Sequence, residues 1–188
     1  MTFKRVKIKK TGEIKKLGVF CTSSDCDKGL HCFRPTRKMK QNNEIGKCRS
    51  CKADLVDWPR IHKRDLNDFN YLYDMLNKEQ VRYEYWRKNI DDEAINYSNK
   101  KGLEELEKRA KKIIENKLSI MDIYWDGRQT PKDGNIIYYA QHAVACCCRK
   151  CIEYWHGIPR SETLSETQIK YFVELIMKYI KIKLPSLN

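Results

Sequence analysis

The chain has 188 residues, 41% of them hydrophobic, which is enough for a packed core and too much for wholesale disorder. No stretch approaches the roughly 18 apolar residues of a membrane span. The charged start MTFKRVKIKKTGEIKK leads into no apolar run, so a cytoplasmic protein with no membrane association is expected. The formal charge is +13: residues 1–64 hold 18 Lys/Arg against 6 Asp/Glu, or +12, and residues 65–188 hold 20 against 19, or +1.

Charge kept only for solubility would be spread along the chain. Its concentration in the first third points to a polyanionic partner, and nucleic acid is the commonest. Residues 3–20 read as a β-hairpin, with Val6 and Ile8 alternating with lysines, Thr11-Gly12 turning, and Ile14, Leu17, Val19 and Phe20 returning. Its outer face would be a row of cations including Lys7, Lys9, Lys15 and Lys16.

The nine cysteines fall in two groups. Cys21, Cys26, Cys32, Cys48 and Cys51 occupy a segment rich in turn formers and basic residues, with no hydrophobic period to hold it together. Where thiols stay reduced, such a cluster argues for metal rather than disulfides. Cys48-Arg49-Ser50-Cys51, preceded by Gly46, is a Cys-x-x-Cys knuckle that offers two thiolates to one tetrahedral zinc. Cys32 and Cys26 are the expected partners, with Cys21, His31 and His62 as further candidates. Four protein ligands would leave no open position, so the role expected is structural. Around this zinc-ribbon-like module stand Arg34, Arg37, Lys38, Lys40, Lys47, Arg49 and Lys52, with Phe33 among them. Such a surface can grip phosphates, but no two-Cys, two-His finger spacing suggests sequence-specific base reading. Ala53 to Val56 reads as a short strand leading out of the knuckle.

After Asp65 the period turns helical. Leu66, Phe69, Leu72/Tyr73, Leu76, Tyr83 and Trp86 recur at a 3–4 spacing, and Leu103, Leu106, Ala110, Ile113 and Ile114 mark a second helix over 101–117. Residues 118–135 read as a loop, and 136–155 as a third helix. The last helix carries the capping box Ser165-Glu166-Thr167-Gln168, with Leu164 and Ile169 as its hydrophobic staple. Its stripe is Ile169, Phe172, Val173, Ile176 and Ile180, and Pro185 ends it. The expected fold is mainly α: a hairpin and zinc-ribbon-like module over 1–64, then a four-helix, zinc-stapled domain over 65–188.

The second cysteine group lies in IIYYAQHAVACCCRKCIEYWH, residues 136–156. On one helix at about 100° per residue, Cys147, Cys148 and Cys151 share a face with Ile137, Ala140, Val144 and Trp155. His142 would lie opposite Cys151 unless the helix bends near Ala143 to Ala145, and His156 falls past the helix end. A second zinc held by Cys148, Cys151 and His156, with His142 as a further candidate, is the expectation. The plainer alternative is a cysteine-lined core face.

Asp126-Gly127-Arg128-Gln129-Thr130-Pro131, Ala140-Gln141-His142-Ala143 and Cys147-Cys148-x-x-Cys151-x-x-x-Trp155-His156-Gly157-Ile158-Pro159 together resemble an uncharacterised bacterial domain-of-unknown-function family. The resemblance covers about residues 120–184. Gly29-Leu30-His31-Cys32-Phe33 and Cys48-x-x-Cys51-x-Ala53-Asp54-Leu55-Val56-Asp57-Trp58 look like a longer subgroup of it. The resemblance implies that Cys146 stands where a cysteine is unusual and is no ligand. It implies no activity.

A zinc with an open position near Asp126, His142, Cys148 and Cys151 would suit hydrolysis. The His-x-Glu element of zinc deaminases, His-Glu-x-x-His, the P-loop and the dinucleotide glycine fingerprint are all absent. A thiol redox role for Cys148/Cys151 lacks its strand–helix setting. The favoured expectation is a protein holding two zinc ions and binding DNA or RNA, as a module or scaffold within a larger bacterial nucleoprotein or defence assembly. A zinc-dependent nuclease or base-acting hydrolase, with His142 and Asp126 as catalytic candidates, is the alternative.

Overall fold

The computed structural model describes residues 18–119 and 129–187. The expected hairpin, save its last three residues, therefore lies outside the described residues, as do Lys7, Lys9, Lys15, Lys16 and Asp126. Within them the protein is mainly helical: α1 (Arg37–Gln41), α2 (Trp58–Ile61), α3 (Phe69–Leu76), α4 (Gln80–Arg87), α5 (Asp92–Ile114), α6 (Ile136–Ala143), α7 (Arg149–His156) and α8 (Glu166–Lys183). Among the described residues there is no strand. Asp25–Leu30 and His31–Glu79 form isolated bridges only, and Ala53 to Val56 stays irregular.

The helix starts follow local chemistry. Thr36, Asp57, Asp91 and Asn135 each accept a first-turn backbone N–H at the starts of α1, α2, α5 and α6. At α8 both halves of the capping box form, Gln168 N to Ser165 Oγ at 3.3 Å and Ser165 N to Gln168 Oε1 at 2.9 Å. Ile169, Phe172, Val173, Ile176 and Ile180 are all buried, as are Tyr171, Leu175, Met177 and Tyr179. A helix buried round most of its circumference lies inside the fold. α8 packs on α5 and α6, and α6 packs on α4.

Six α-helices occupy the part where four were expected, for two physical reasons. The first stretch breaks into α3 and α4 because residues 77–80 turn to meet the cysteine segment: His31 N donates to Lys78 O at 2.6 Å, and Gln80 N to His31 O at 2.9 Å. The expected helix over 136–155 breaks between α6 and α7, where Ala145 takes a left-handed φ of 57° and Cys148 is extended. Cys146, Cys147 and Cys148 are consecutive and all buried. A continuous helix would spread them over about 200° of its circumference, so the chain leaves the helix to turn all three inward. The helix expected over 101–117 begins after Gly102, whose non-helical φ of 69° separates it from a further helical stretch that starts at Asp92, the two together forming α5.

The core runs through both parts of the chain. Phe33, Cys48, Val56 and Ile61 belong to the same buried cluster as Trp155, Tyr85, Tyr139 and Tyr179. The C-terminal end of α7 is finished by residues just after α2: Arg64 donates to His156 O at 2.8 Å, and His62 Nε2 lies 3.4 Å from Tyr154 O. Among the described residues no helix is long and apolar enough to cross a membrane.

This junction generates a test of the packing. Gly157 ends α7 at a φ of 65°, and a Cβ there would stand 2.7 Å from the His62 ring. Gly157→Ala should cost on the order of 2 kcal/mol, from the left-handed backbone and the clash together. Denaturant unfolding should show a lower midpoint with an unchanged slope.

Candidate metal centres

The first group is assembled from two turns that face each other. Cys26 to Lys28 form a single 3-10 turn closed by Gly29, and the Asp25–Leu30 bridge brings His31 back beside Cys26. Opposite them the Cys48–Cys51 knuckle is tightened by Lys52 N to Cys48 O at 2.9 Å and by Cys48 N to Ala53 O at 2.9 Å, with Lys52 at a φ of 65°. Ligand atoms of Cys26, His31, Cys48 and Cys51 all lie within 4.8 Å of one another. Cys26 Sγ is 3.7 Å from Cys48 Sγ, and Cys51 Sγ is 3.5 Å from His31 Nδ1. A tetrahedron with zinc–sulfur bonds of about 2.3 Å has edges of about 3.8 Å, so the group fits such an ion. Burial works against ionising Cys48, but backbone hydrogen bonds from Cys32, Cys51 and Ser50, with His31 beside them, bring its thiol down to about 6. Burial and contacts with Cys51 and Cys48 push Cys26 up to about 12.

Three of the four residues expected here, Cys26, Cys48 and Cys51, thus come together, and His31 stands where Cys32 was expected. Cys32 points away: its thiol donates to Cys21 O at 3.4 Å and is pushed up to about 12 by burial. Neighbours on extended backbone face opposite sides, so His31 and Cys32 cannot both enter one site.

The second group is Cys147, Cys148 and Cys151, also within 4.8 Å of one another. Cys151 Sγ is 3.5 Å from Cys147 Sγ and 3.4 Å from Cys148 Sγ, and all three are buried. These thiols are free, far from the roughly 2.05 Å of a disulfide. Contact with Cys147, outweighing the opposing bond to Cys151, pushes Cys148 up to about 12. Cys147 and Cys151 stand well above the ordinary thiol value: each gains from one sulfur neighbour, but the other neighbour and burial outweigh it. Thiols crowded in this way keep their protons until a cation replaces them. Cys146 is buried beside the group but is not one of its three members.

Two further groups touch this cluster. Arg82, fully buried on α4, donates to Cys151 Sγ at 3.1 Å and lies 3.7 Å from Cys147 Sγ. It also donates to His142 O at 2.7 Å and to Glu79 at 3.0 Å. Cys21, from far up the chain, is a hydrogen-bond partner of Cys151; that contact brings the Cys21 thiol down to about 6, against burial and with Arg82 and Arg34 helping.

The two histidines expected here go elsewhere. His156 is fully buried, with Nε2 3.0 Å from Val144 O and Nδ1 3.2 Å from the Tyr171 hydroxyl, and burial lowers it to about 3. His142 stacks on Tyr85 at 4.6 Å with Nε2 3.0 Å from Pro131 O, and burial lowers it to about 4. Both are neutral side chains whose rings are held by backbone oxygens, and neither joins the sulfurs.

Of the described basic residues expected to meet phosphate, Arg37 and Lys38 are exposed on α1, and Arg34 and Arg49 are half-buried. Near them a pocket of about 350 Å³ is lined by Phe33, Pro35, Ile45, Trp58, His62 and Tyr154, with Lys40 and Glu153 at its edge. It shares Pro35, Lys40, Glu153 and Tyr154 with a smaller cleft whose other walls are Arg34, Lys150 and Arg160. Glu153 is the one carboxylate lining either hollow, and it lies 3.7 Å from Lys40 and 3.3 Å from Arg160. Lys150, Arg160 and Tyr154 join this groove only through the placement of α7, which no local sequence signal reveals.

A mainly helical protein with two cysteine-rich groups able to hold metal ions is the class that the fold and these groups define. The chain belongs to the family described as Domain of unknown function (DUF4186), which matches it over residues 70–181. That stretch contains the second cysteine group and leaves the first ahead of it. No solved structure matches the chain.

The buried pair beside the second group is open to direct test. Arg82→Met leaves the Glu79 carboxylate uncompensated in the core and should cost roughly 3–5 kcal/mol. The double variant Glu79→Gln/Arg82→Met should lose clearly less than the two single losses added together. A double-mutant cycle by denaturant unfolding measures the difference.

Proposed function

We propose that this protein is a zinc-binding module that associates with single-stranded nucleic acid, its metals acting as structural staples. The reading is carried by one observation, the aromatic pocket that opens into a cleft walled by Arg34, Lys40, Lys150 and Arg160. A planar base has an apolar, aromatic surface to lie against at Trp58 and Tyr154, and the adjoining cations suit the phosphate that follows it. The +12 carried by residues 1–64 supplies the wider field that draws a polyanion toward this face.

Zinc is the metal favoured by three thiolates and one imidazole at Cys26, Cys48, Cys51 and His31, a closed ligand set that holds the loop rather than activating water. The thiols of Cys147, Cys148 and Cys151 suit the same soft cation. His142, stacked on Tyr85 and turned to Pro131 O, offers no general base at the sulfurs, so binding is favoured over hydrolysis.

Protein purified without chelator should contain close to two zinc ions per chain, one for each group. Cys48→Ser should remove one of them and open residues 21–64 to protease while α8 stays protected, because metal binding in such loops is folding free energy on the order of 10 kcal/mol. Metal-free wild-type protein of normal stability would contradict the staple.

For nucleic acid, the folded, metal-loaded protein should bind a labelled oligothymidylate, with affinity falling linearly on a log–log plot against salt. Lys40→Ala with Lys150→Ala should weaken binding and lower the salt slope by about 1 to 2. Ribo- and deoxyribo-oligonucleotides compared side by side show which sugar is preferred. Absence of binding to either at low salt overturns the reading.

A further inference from the structure

Three thiolates leave a tetrahedral metal one ligand short, and neither nearby histidine supplies it. Both have their Nε2 atoms turned to backbone oxygens, His156 to Val144 O and His142 to Pro131 O, each at 3.0 Å. Two other cysteines lie near, Cys146 and Cys21, both outside the three-membered group, and of the two Cys21 is the one whose side chain partners Cys151. The Cys21 carbonyl oxygen accepts from the buried Cys32 thiol at 3.4 Å. The chain at residue 21 is thereby tied down from two directions.

We infer that Cys21 is the fourth ligand of the second centre, so that Cys21, Cys147, Cys148 and Cys151 form a four-thiolate site for a tetrahedral, thiophilic divalent metal, zinc foremost. Cys32 serves as a positioning residue, since its thiol holds the Cys21 backbone and faces neither metal group. Arg82 lies on the protein side of the site and donates to the sulfurs of Cys151 and Cys147. A guanidinium aimed at sulfur stabilises thiolate far more than thiol, and hydrogen bonds of this kind orient ligands and spread the negative charge of a metal–thiolate unit. Arg34 and Arg82 are the cations near Cys21, and Glu79, paired with Arg82, is the opposing anion.

Two consequences follow from this ligand set. With four sulfurs on the metal no position remains for water, so this centre has no hydrolytic chemistry. Cys21 and Cys26, a few residues apart, enter different metals, and the first metal's ligands all fall within the stretch between Cys21 and Cys147. The second metal therefore clasps the start of the cysteine segment onto α7.

The test uses the full-length protein loaded with cobalt(II), whose thiolate charge-transfer absorption counts sulfur ligands. Wild type should take up two cobalt ions per chain. Cys21→Ser should either lose one of them or keep both with about one-seventh less charge-transfer intensity, since three plus four thiolates become three plus three. Cys146→Ala, at a buried cysteine that belongs to neither group, should keep both the metal content and the intensity. A second measurement needs no variant: in metal-loaded wild type Cys21 should resist alkylation, read by mass spectrometry, and label at least tenfold faster after chelation. Cys21 labelling equally fast in loaded and stripped protein, unchanged spectra in Cys21→Ser, or uptake of only one metal by wild type would each overturn the assignment. These readouts do not involve nucleic acid, so failure to bind an oligonucleotide counts against the proposed function alone.

Discussion

A carboxylate and a guanidinium leave water only when nearly every polar atom finds a partner, because the desolvation cost is several kcal/mol per ion. Glu79 and Arg82 are both fully buried, 3.0 Å apart, and the partners they recruit come from the cysteine segment at residue 33 and from residues 142–155. Glu79 accepts from Phe33 N at 3.2 Å, from the Tyr154 hydroxyl at 3.1 Å and from Trp155 Nε1 at 2.7 Å. Arg82 reaches His142 O at the end of α6, the Tyr154 hydroxyl on α7 and the sulfurs of Cys147 and Cys151. One ion pair thus fixes α4 against α6 and α7, and holds the segment around Phe33 to all three. The first metal group is tied to the same place, since the backbone of His31 pairs with Lys78 and Gln80 on either side of Glu79.

Parts of this arrangement are written locally in the sequence. The capping box of α8, its apolar stripe and the Cys48/Cys51 knuckle each depend on residues a few positions apart, and each forms where the spacing predicts. Glu79 and Arg82 gave no such sign. As text they are an acid and a base three residues apart, hardly different from Glu104 and Lys108, which lie on an exposed helix face. Their burial is decided by what packs over them, and that comes from residues 33 and 142–155.

The same limit applies at the metal groups. Whether His31 or Cys32 faces inward depends on which way one extended residue turns, and the bridge to Glu79 decides it. Helical spacing placed Cys147, Cys148 and Cys151 together, which they are, but by a different route: α6 ends at Ala143 and the backbone reverses through Ala145. That break carries His142 away from the sulfurs and leaves His156 against Tyr171 and Phe172. Cys21, more than a hundred residues from the cluster it meets, carried no local mark of its role. Cys26, Cys48, Cys51, Cys148 and Cys151 were legible from their spacing, whereas His31 and Cys147 join their groups through the way the backbone turns.

The proposed architecture is a pair of metals that fasten a basic, poorly hydrophobic segment to a helical core, with the aromatic and cationic groove at the junction. It makes the segment's shape, and so the groove, depend on metal. The most direct test is a crystal structure of the chelator-free protein with anomalous scattering recorded on both sides of the zinc edge. The account predicts two zinc peaks per chain, one among Cys26, His31, Cys48 and Cys51 and the other among Cys21, Cys147, Cys148 and Cys151. Absence of either peak, or sulfurs of the second group drawn together to the roughly 2.05 Å of a disulfide, would contradict it.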